Sequence, residues 1–195
     1  MSELIIDSAM SREEIFAQNP LSPAPDGVLK MLEIVLVSYV GFDGEKHRGQ
    51  IVMHRAVVDD VKEFFARALV LSFPVEKVIP ISTEKYAWND AASCEDNNSS
   101  GYNYRTIFGT EQLSYHARGL AFDINPVQNV YVRYDAEGNE TYRLPRNGAY
   151  DERASGTLTQ HHPLVLFMRD RGWTWGGDWK KEGGRTDYQH FEKIV

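Results

Sequence analysis

Leu32-Glu33-Ile34-Val35-Leu36-Val37-Ser38-Tyr39-Val40, then Asp43-Gly44, then Gln50-Ile51-Val52-Met53-His54-Arg55-Ala56-Val57 is the stretch on which the fold turns. Two apolar runs rich in β-branched residues flank an Asp-Gly pair, the signature of a two-stranded hairpin. From Asp60 the period changes: Val61, Phe64, Phe65, Ala68 and Leu69 fall at i, i+3, i+4, i+7 and i+8, one apolar face of a helix. Working toward the N-terminus, Ser11-Arg12-Glu13-Glu14 fits a capping box that opens a short helix ending before Pro20. Pro20, Pro23 and Pro25 then make a linker, so residues 1–26 form an N-terminal extension and linker and residues 27–195 a single domain. Toward the C-terminus, Val75 to Ser82 reads as a strand, and Asn89 to Asn103, with no apolar period, as a loop. Leu120 to Ile124 and Val130 to Tyr134 read as strands, with a turn at Glu137-Gly138-Asn139 before Tyr142. Pro163 begins a helix carrying Leu164, Phe167 and Met168 that stops at Gly172. Hairpins mixed with a few helices predict an α+β fold, an antiparallel sheet with flanking helices.

The 195 residues fit one compact domain, and 42% hydrophobic with 12% aromatic content is that of a chain that folds by itself. A net charge of -7 with no basic run excludes nonspecific nucleic-acid binding, which depends on neutralising phosphates. Cys94 is the single cysteine, so neither an intrachain disulfide nor a cysteine zinc site is expected. No basic segment followed by an apolar one opens the chain, and no apolar run reaches the roughly 18 residues that span a bilayer. The sequence therefore reads as a soluble monomer with neither membrane nor nucleic-acid partners.

Chemistry concentrates in two places. In Ser114-Tyr115-His116-Ala117-Arg118-Gly119-Leu120-Ala121-Phe122-Asp123 a histidine and an aspartate lie seven apart across a glycine turn that enters an apolar strand. In Asp187-Tyr188-Gln189-His190 a carboxylate precedes a second histidine by three. Two His and one Asp make a three-ligand metal site with a fourth position open to water, the pattern of catalytic zinc. Asp187 would then be free to take that water's proton. Each spacing alone is common, and a lone histidine is more often a hydrogen-bonded structural residue than a ligand, so spacing alone names no metal.

The two segments together resemble the S-x-H-x-x-G-x-A-x-D and D-x-x-H-F-E signatures of the M15 metallopeptidases. That family includes D-alanyl-D-alanine carboxypeptidases, D-Ala-D-Ala dipeptidases and L-alanyl-D-glutamate endopeptidases. Ser99-Ser100-Gly101-Tyr102-Asn103-Tyr104-Arg105 is similar to the family's arginine-bearing segment, and Gly172-Trp173-Thr174-Trp175-Gly176-Gly177-Asp178-Trp179 to its tryptophan-rich lead into the last motif. The resemblance covers roughly Asn97 to Glu192, four segments in the family's order. It implies Zn2+ held by His116, Asp123 and His190, Asp187 as general base and Arg105 as oxyanion stabiliser. The last role suits a reaction that builds negative charge on a carbonyl oxygen.

The function this implies is hydrolysis of peptide bonds in the peptidoglycan stem, with peptidoglycan or muropeptides as substrate. That substrate lies in the periplasm or cell wall, which a chain without a signal peptide would reach by lysis or a secretion system. An Asp base, as in the endopeptidase branch, tilts the scissile bond toward L-Ala-D-Glu. The alternatives are D-Ala-D-Ala carboxypeptidase activity and, in a different class, a catalytically silent zinc-binding module like the hedgehog domain. Retention of Asp187 and Arg105 argues against silence. Ser114 and Trp179 are candidate substrate contacts, while Trp173 and Trp175 read as core. His161 and His162, just before Pro163, read as solvated or capping, and His47 and His54 as solvent-facing residues of the hairpin. Cys94, in a polar loop without a partner, is no nucleophile.

Overall fold

The computed structural model describes residues 4–107, 109–179 and 184–195. In chain order the elements are β1 (Ile5–Ile6), α1 (Arg12–Ile15), α2 (Asp26–Leu29), β2 (Leu32–Val40), β3 (Lys46–His54), α3 (Val58–Val70), β4 (Lys77–Val78), α4 (Asp90–Glu95), β5 (Asn98–Ser99), β6 (Ala121–Asp123), β7 (Tyr131–Tyr134), β8 (Glu140–Leu144), α5 (Pro163–Asp170), β9 (Thr174–Trp175), β10 (Arg185–Asp187) and β11 (His190–Glu192).

The hairpin forms as its sequence demands. Nine residue pairs run from Leu32↔His54 to Val40↔Lys46. Gly44 turns the chain at φ +81°, and Asp43 Oδ1 accepts from the Glu45 amide at 2.9 Å. Alternation then puts Val35, Val37, Tyr39, Ile51 and Met53 on the face that α3 covers with Val61, Phe64, Phe65 and Ala68. The capping box at Ser11 and Glu14 is present, and the α5 helix begins at Pro163 with His162 Nδ1 accepting from the Leu164 amide at 3.2 Å.

Four small sheets take the place of the one antiparallel sheet expected. They are ordered β1-β3-β2, β10-β7-β8, β6-β11-β9 and β4-β5, and the β1–β3 and β4–β5 pairings are parallel. Other expectations are corrected as well. The strand over Val75 to Ser82 shrinks to two residues, because prolines at 74 and 80 bound it. The Asn89 to Asn103 loop contains α4, capped by Asn89 Oδ1 on the Ala92 amide at 3.1 Å, and β5. There polar side chains replace an apolar face: buried Asn98 accepts from the Ile79 amide and donates to the Ile79 carbonyl, both at 2.9 Å. Cys94 is accordingly buried in a helix. The one-turn helix α2 follows directly on the last proline of the linker, Pro25.

His47 does not face solvent. It is 7% exposed, with Nδ1 2.9 Å from Asp7 and Nε2 3.0 Å from Asp43, while the Tyr39 hydroxyl donates to Asp7. Two carboxylates hold this imidazole's pKa above the ordinary value although burial opposes the charge. His54 is half-buried and accepts from the Ala56 amide at 3.2 Å.

A cluster of aromatic rings joins this scaffold to the strands that carry the chemistry. Phe64 of α3 meets Phe122 of β6 at 5.2 Å and Phe191 of β11 at 5.8 Å between ring centroids, both edge-on. Phe122 and Phe191 stack on each other at 5.2 Å. Asp60, at the start of α3, accepts from Trp173 Nε1 at 2.9 Å, Arg171 at 3.0 Å and Lys193 at 2.8 Å. No described helix is long and apolar enough to cross a membrane.

Candidate active site

β6 and β11 are antiparallel neighbours with Phe122 opposite Phe191 and Asp123 opposite His190. Since side chains alternate across a strand, the two phenylalanines that enter the core oblige the aspartate and histidine to emerge together on the other face. His116 arrives from a single 3-10 turn, Tyr115–Arg118, whose first amide bonds are met by Ser114 Oγ, 3.3 Å from the His116 amide. The turn ends at Gly119, where φ is +67° and a Cβ would stand 2.6 Å from the His54 amide nitrogen. Only glycine allows that approach, which the hairpin uses by donating His54 N–H to the Gly119 carbonyl at 2.8 Å.

His116, Asp123 and His190 converge and are buried, 3%, 5% and 5% exposed. His116 Nε2 lies 3.1 Å from His190 Nδ1 and 3.3 Å from Asp123 Oδ2, and His190 Nδ1 lies 3.1 Å from Asp123 Oδ1. The remaining ring nitrogens are engaged elsewhere: His116 Nδ1 faces the Gly101 carbonyl at 2.6 Å and His190 Nε2 faces Glu192 at 3.0 Å. Donation to those oxygens leaves one lone pair of each ring aimed at the common centre. A tetrahedral zinc with bonds of about 2.0–2.1 Å has ligand edges of about 3.3 Å, close to the 3.1 Å between the two inward ring nitrogens. The group is able to hold a metal, and neutral nitrogens with a carboxylate are the donor set zinc accepts.

The charges around this triangle are strongly shifted. Burial would raise the Asp123 carboxyl, but His116 and His190 beside it hold it well below the usual range. Burial would lower His190, yet its bonds to Asp123 and Glu192 push it up to about 10. These are shifts of groups facing one another, and a cation at the centre would take over the protons' role.

Asp187 stands on β10 with one carboxylate oxygen buried and without a hydrogen-bond partner. Burial raises it to about 7, with the nearby Asp123 charge adding to the effect and His190 opposing it. Arg105 reaches the same cleft, with Nη2 2.9 Å from Asp90 of α4, and its Nε is buried without a partner. Asp90 is held in turn by Asn103 Nδ2 at 3.2 Å. Burial disfavours the guanidinium's charge, but the Asp90 and Asp123 carboxylates reinforce it.

A cavity of about 640 Å³ contains all five residues. Ser114 and Trp179, the two expected substrate contacts, also line it, and the Trp179 ring lies 5.5 Å from that of His190. Trp173 and Trp175 are buried in the core.

Residues 108–193 match the family model described as D-alanyl-D-alanine carboxypeptidase, one of the M15 peptidase models. Over that segment, 86 of its 195 residues, the chain is similar to the M15 peptidases. Neither a curated protein nor a solved structure matches it. The match supports a peptidase, hence a hydrolase, and the matched segment holds His116, Asp123, Asp187 and His190 while Arg105 lies just before it. The place of Arg105 therefore rests on its position in the shared cleft.

Sequence reading did not single out Asp90, Tyr131, Arg133, Tyr142 or Arg185, which also line this cleft. The signal was available in the strands: Tyr131 and Arg133, and Arg185 and Asp187, are two apart, so each pair shares a face. Asp90 gave no such signal because its segment lacked any period.

Proposed function

We propose that the protein is a zinc-dependent peptidase that cleaves the peptidoglycan stem peptide. The observation that carries this reading is the buried triangle of His116, Asp123 and His190 opening into the same cleft as Asp187 and Arg105. Zinc, when held there, supplies Lewis acidity toward a water and a carbonyl oxygen. Gly101 and Glu192 keep the two imidazoles turned so that His116 Nε2 and His190 Nδ1 face inward. Asp187, with a carboxyl group near 7 and one oxygen uncommitted, accepts the proton of the attacking water and passes it to the departing amine. Arg105 keeps its charge in a half-buried position and stabilises the negative charge that develops on the carbonyl oxygen. Asp90 and Asn103 hold that guanidinium in place.

The stem peptide suits a cleft of this size, and its D-residues are refractory to ordinary proteases. Asp at position 187 favours the L-Ala-D-Glu bond, and the description of the matching family favours the terminal D-Ala-D-Ala bond as a second reading. Mass spectrometry of purified muropeptides incubated with the zinc-loaded protein separates them: fragments released at L-Ala-D-Glu are expected, and loss of a terminal D-Ala selects the second. Asp187→Asn should keep its zinc and its melting temperature and lose on the order of 100-fold in turnover. No cleavage of any muropeptide, or an Asp187→Asn variant of full activity, sinks the reading.

A further inference from the structure

One face of the β10-β7-β8 sheet is a wall of the cleft. Arg185 and Asp187 of β10, Tyr131 and Arg133 of β7, and Tyr142 and Leu144 of β8 all line it, whereas Thr186 and Val132, paired with each other, are buried behind. On that wall Arg185 stands directly opposite Arg133 in the antiparallel register. Like charges in such a pair repel, so an anion lying across them would be drawn to the wall. The protein has a net charge of -7, which makes two adjacent cations beside the reacting centre a local exception rather than an overflow of basic residues.

The two side chains are presented in different ways. Arg133 Nε donates to the Tyr131 hydroxyl at 2.8 Å, which steadies the guanidinium against its own strand. Arg185 lies over the indole of Trp179, 4.7 Å from the ring centre. Stacking uses the face of the guanidinium and leaves its N–H edge directed into the cleft. Among the described residues no carboxylate is within ion-pair distance of Arg185.

We propose that Arg185, with Arg133 across the strand and Trp179 beneath it, is a carboxylate subsite that selects peptides bearing a free carboxylate on the residue after the scissile amide. The planar fork of an arginine matches a carboxylate in two parallel hydrogen bonds. The spacing agrees: Arg185 is two residues from Asp187 on one strand, about 7 Å along it. In the substrate the carboxylate is three bonds from the reacting carbonyl carbon, and the arginine side chain spans the remainder. Both candidate bonds offer that group, as the α-carboxylate of D-Glu or the C-terminal carboxylate of D-Ala, and the subsite deepens the peptidase reading on which it rests.

The test uses four peptides with the zinc-loaded protein: an L-Ala-γ-D-Glu peptide and a D-Ala-D-Ala peptide, each with that carboxylate free or amidated. In the wild type, amidation of the cleaved class should raise KM about 10-fold or more with little change in kcat, the size of one charge-assisted hydrogen bond. Arg185→Gln should raise KM for the free acid to the amide's value and leave the amide unaffected. Arg185→Lys, which keeps the charge, should recover part of the discrimination, and zinc content and melting temperature should match the wild type in both. Cleavage of acid and amide with equal KM, or an Arg185→Gln variant that loses both substrates equally, overturns the subsite and leaves the peptidase reading standing. Cleavage of none of the four by the wild type overturns the peptidase reading itself.

Discussion

Each ring nitrogen of His190 faces a carboxylate, Asp123 on one side and Glu192 on the other. Asp123 points into the triangle and Glu192 away from it, so the two acids have different work in the proposed zinc site: one would be a ligand, and the other fixes the ring and makes the inward nitrogen more basic. Glu192 is also a strand neighbour two residues on, so its position costs no additional ordering. Glu192→Ala should therefore weaken zinc binding by 10- to 100-fold without unfolding the protein, measured by competition with a chelating dye. An unchanged affinity would mean that the strand alone orients His190.

At the scale of elements, the candidate metal centre depends on how α3 seats β6 and β11. Phe64 is fully buried and is the ring through which the helix meets both Phe122 and Phe191. Phe64→Ala leaves a cavity beneath the two strands, and a loss of about 3–5 kcal/mol is expected in denaturant titration. Because Asp123 and His190 directly follow or precede the rings that lose their support, zinc affinity should fall as well. If stability drops while affinity is untouched, the strands hold their register without the helix. This helix was legible in the sequence because Val61, Phe64, Phe65 and Ala68 mark one face, and the hairpin was legible to the residue at Leu32–Val40 because the Asp-Gly turn sets the register. The residues that converge in the cleft, His116, Asp123 and His190 with Asp187 beside them, were singled out through their motifs. β6 and β7 were legible as the strands read at Leu120 to Ile124 and Val130 to Tyr134, but the two-residue strands and the pairing of the small sheets were not: so short a strand carries no measurable period, and β5 is built from Asn98 and Ser99, whose hydrogen bonds to Ile79 and Asn125 substitute for apolar burial. The same shortness hid the cationic wall, since Arg133 and Arg185 become neighbours only through a pairing of distant strands. His47 was misread because its partner Asp7 lies forty residues away, just after a strand of two residues.

At the scale of the whole molecule, Asp60 ties together segments that are remote in sequence. Its carboxylate accepts from Trp173 before β9, from Arg171 at the end of α5 and from Lys193 just after β11, so one acid at the start of α3 joins the hairpin-and-helix half to the half that carries His190. It is only 8% exposed, and burial alone would raise its pKa, but the bonds from Lys193 and Trp173 and the Arg171 guanidinium bring it below the ordinary value. A carboxyl group lowered in the folded state stabilises fully above its unfolded pKa of about 3.9, and that contribution is lost as the pH falls through the folded value. Asp60→Asn keeps the shape and removes the charge, leaving Lys193 without its anion and Arg171 with Glu63 alone. It should cost about 3 kcal/mol near neutral pH. The gap between wild type and variant should stay constant down to about pH 4 and then close with further acidification, since a protonated carboxyl group and the carboxamide that replaces it are electrostatically alike. Denaturant titrations of both proteins from about pH 7 to about pH 3 measure this, and taking the difference cancels the other carboxylates that titrate in that range. A gap that does not narrow on acidification would show that the loss comes from packing around the amide, and the ion network would then not be what joins the two halves.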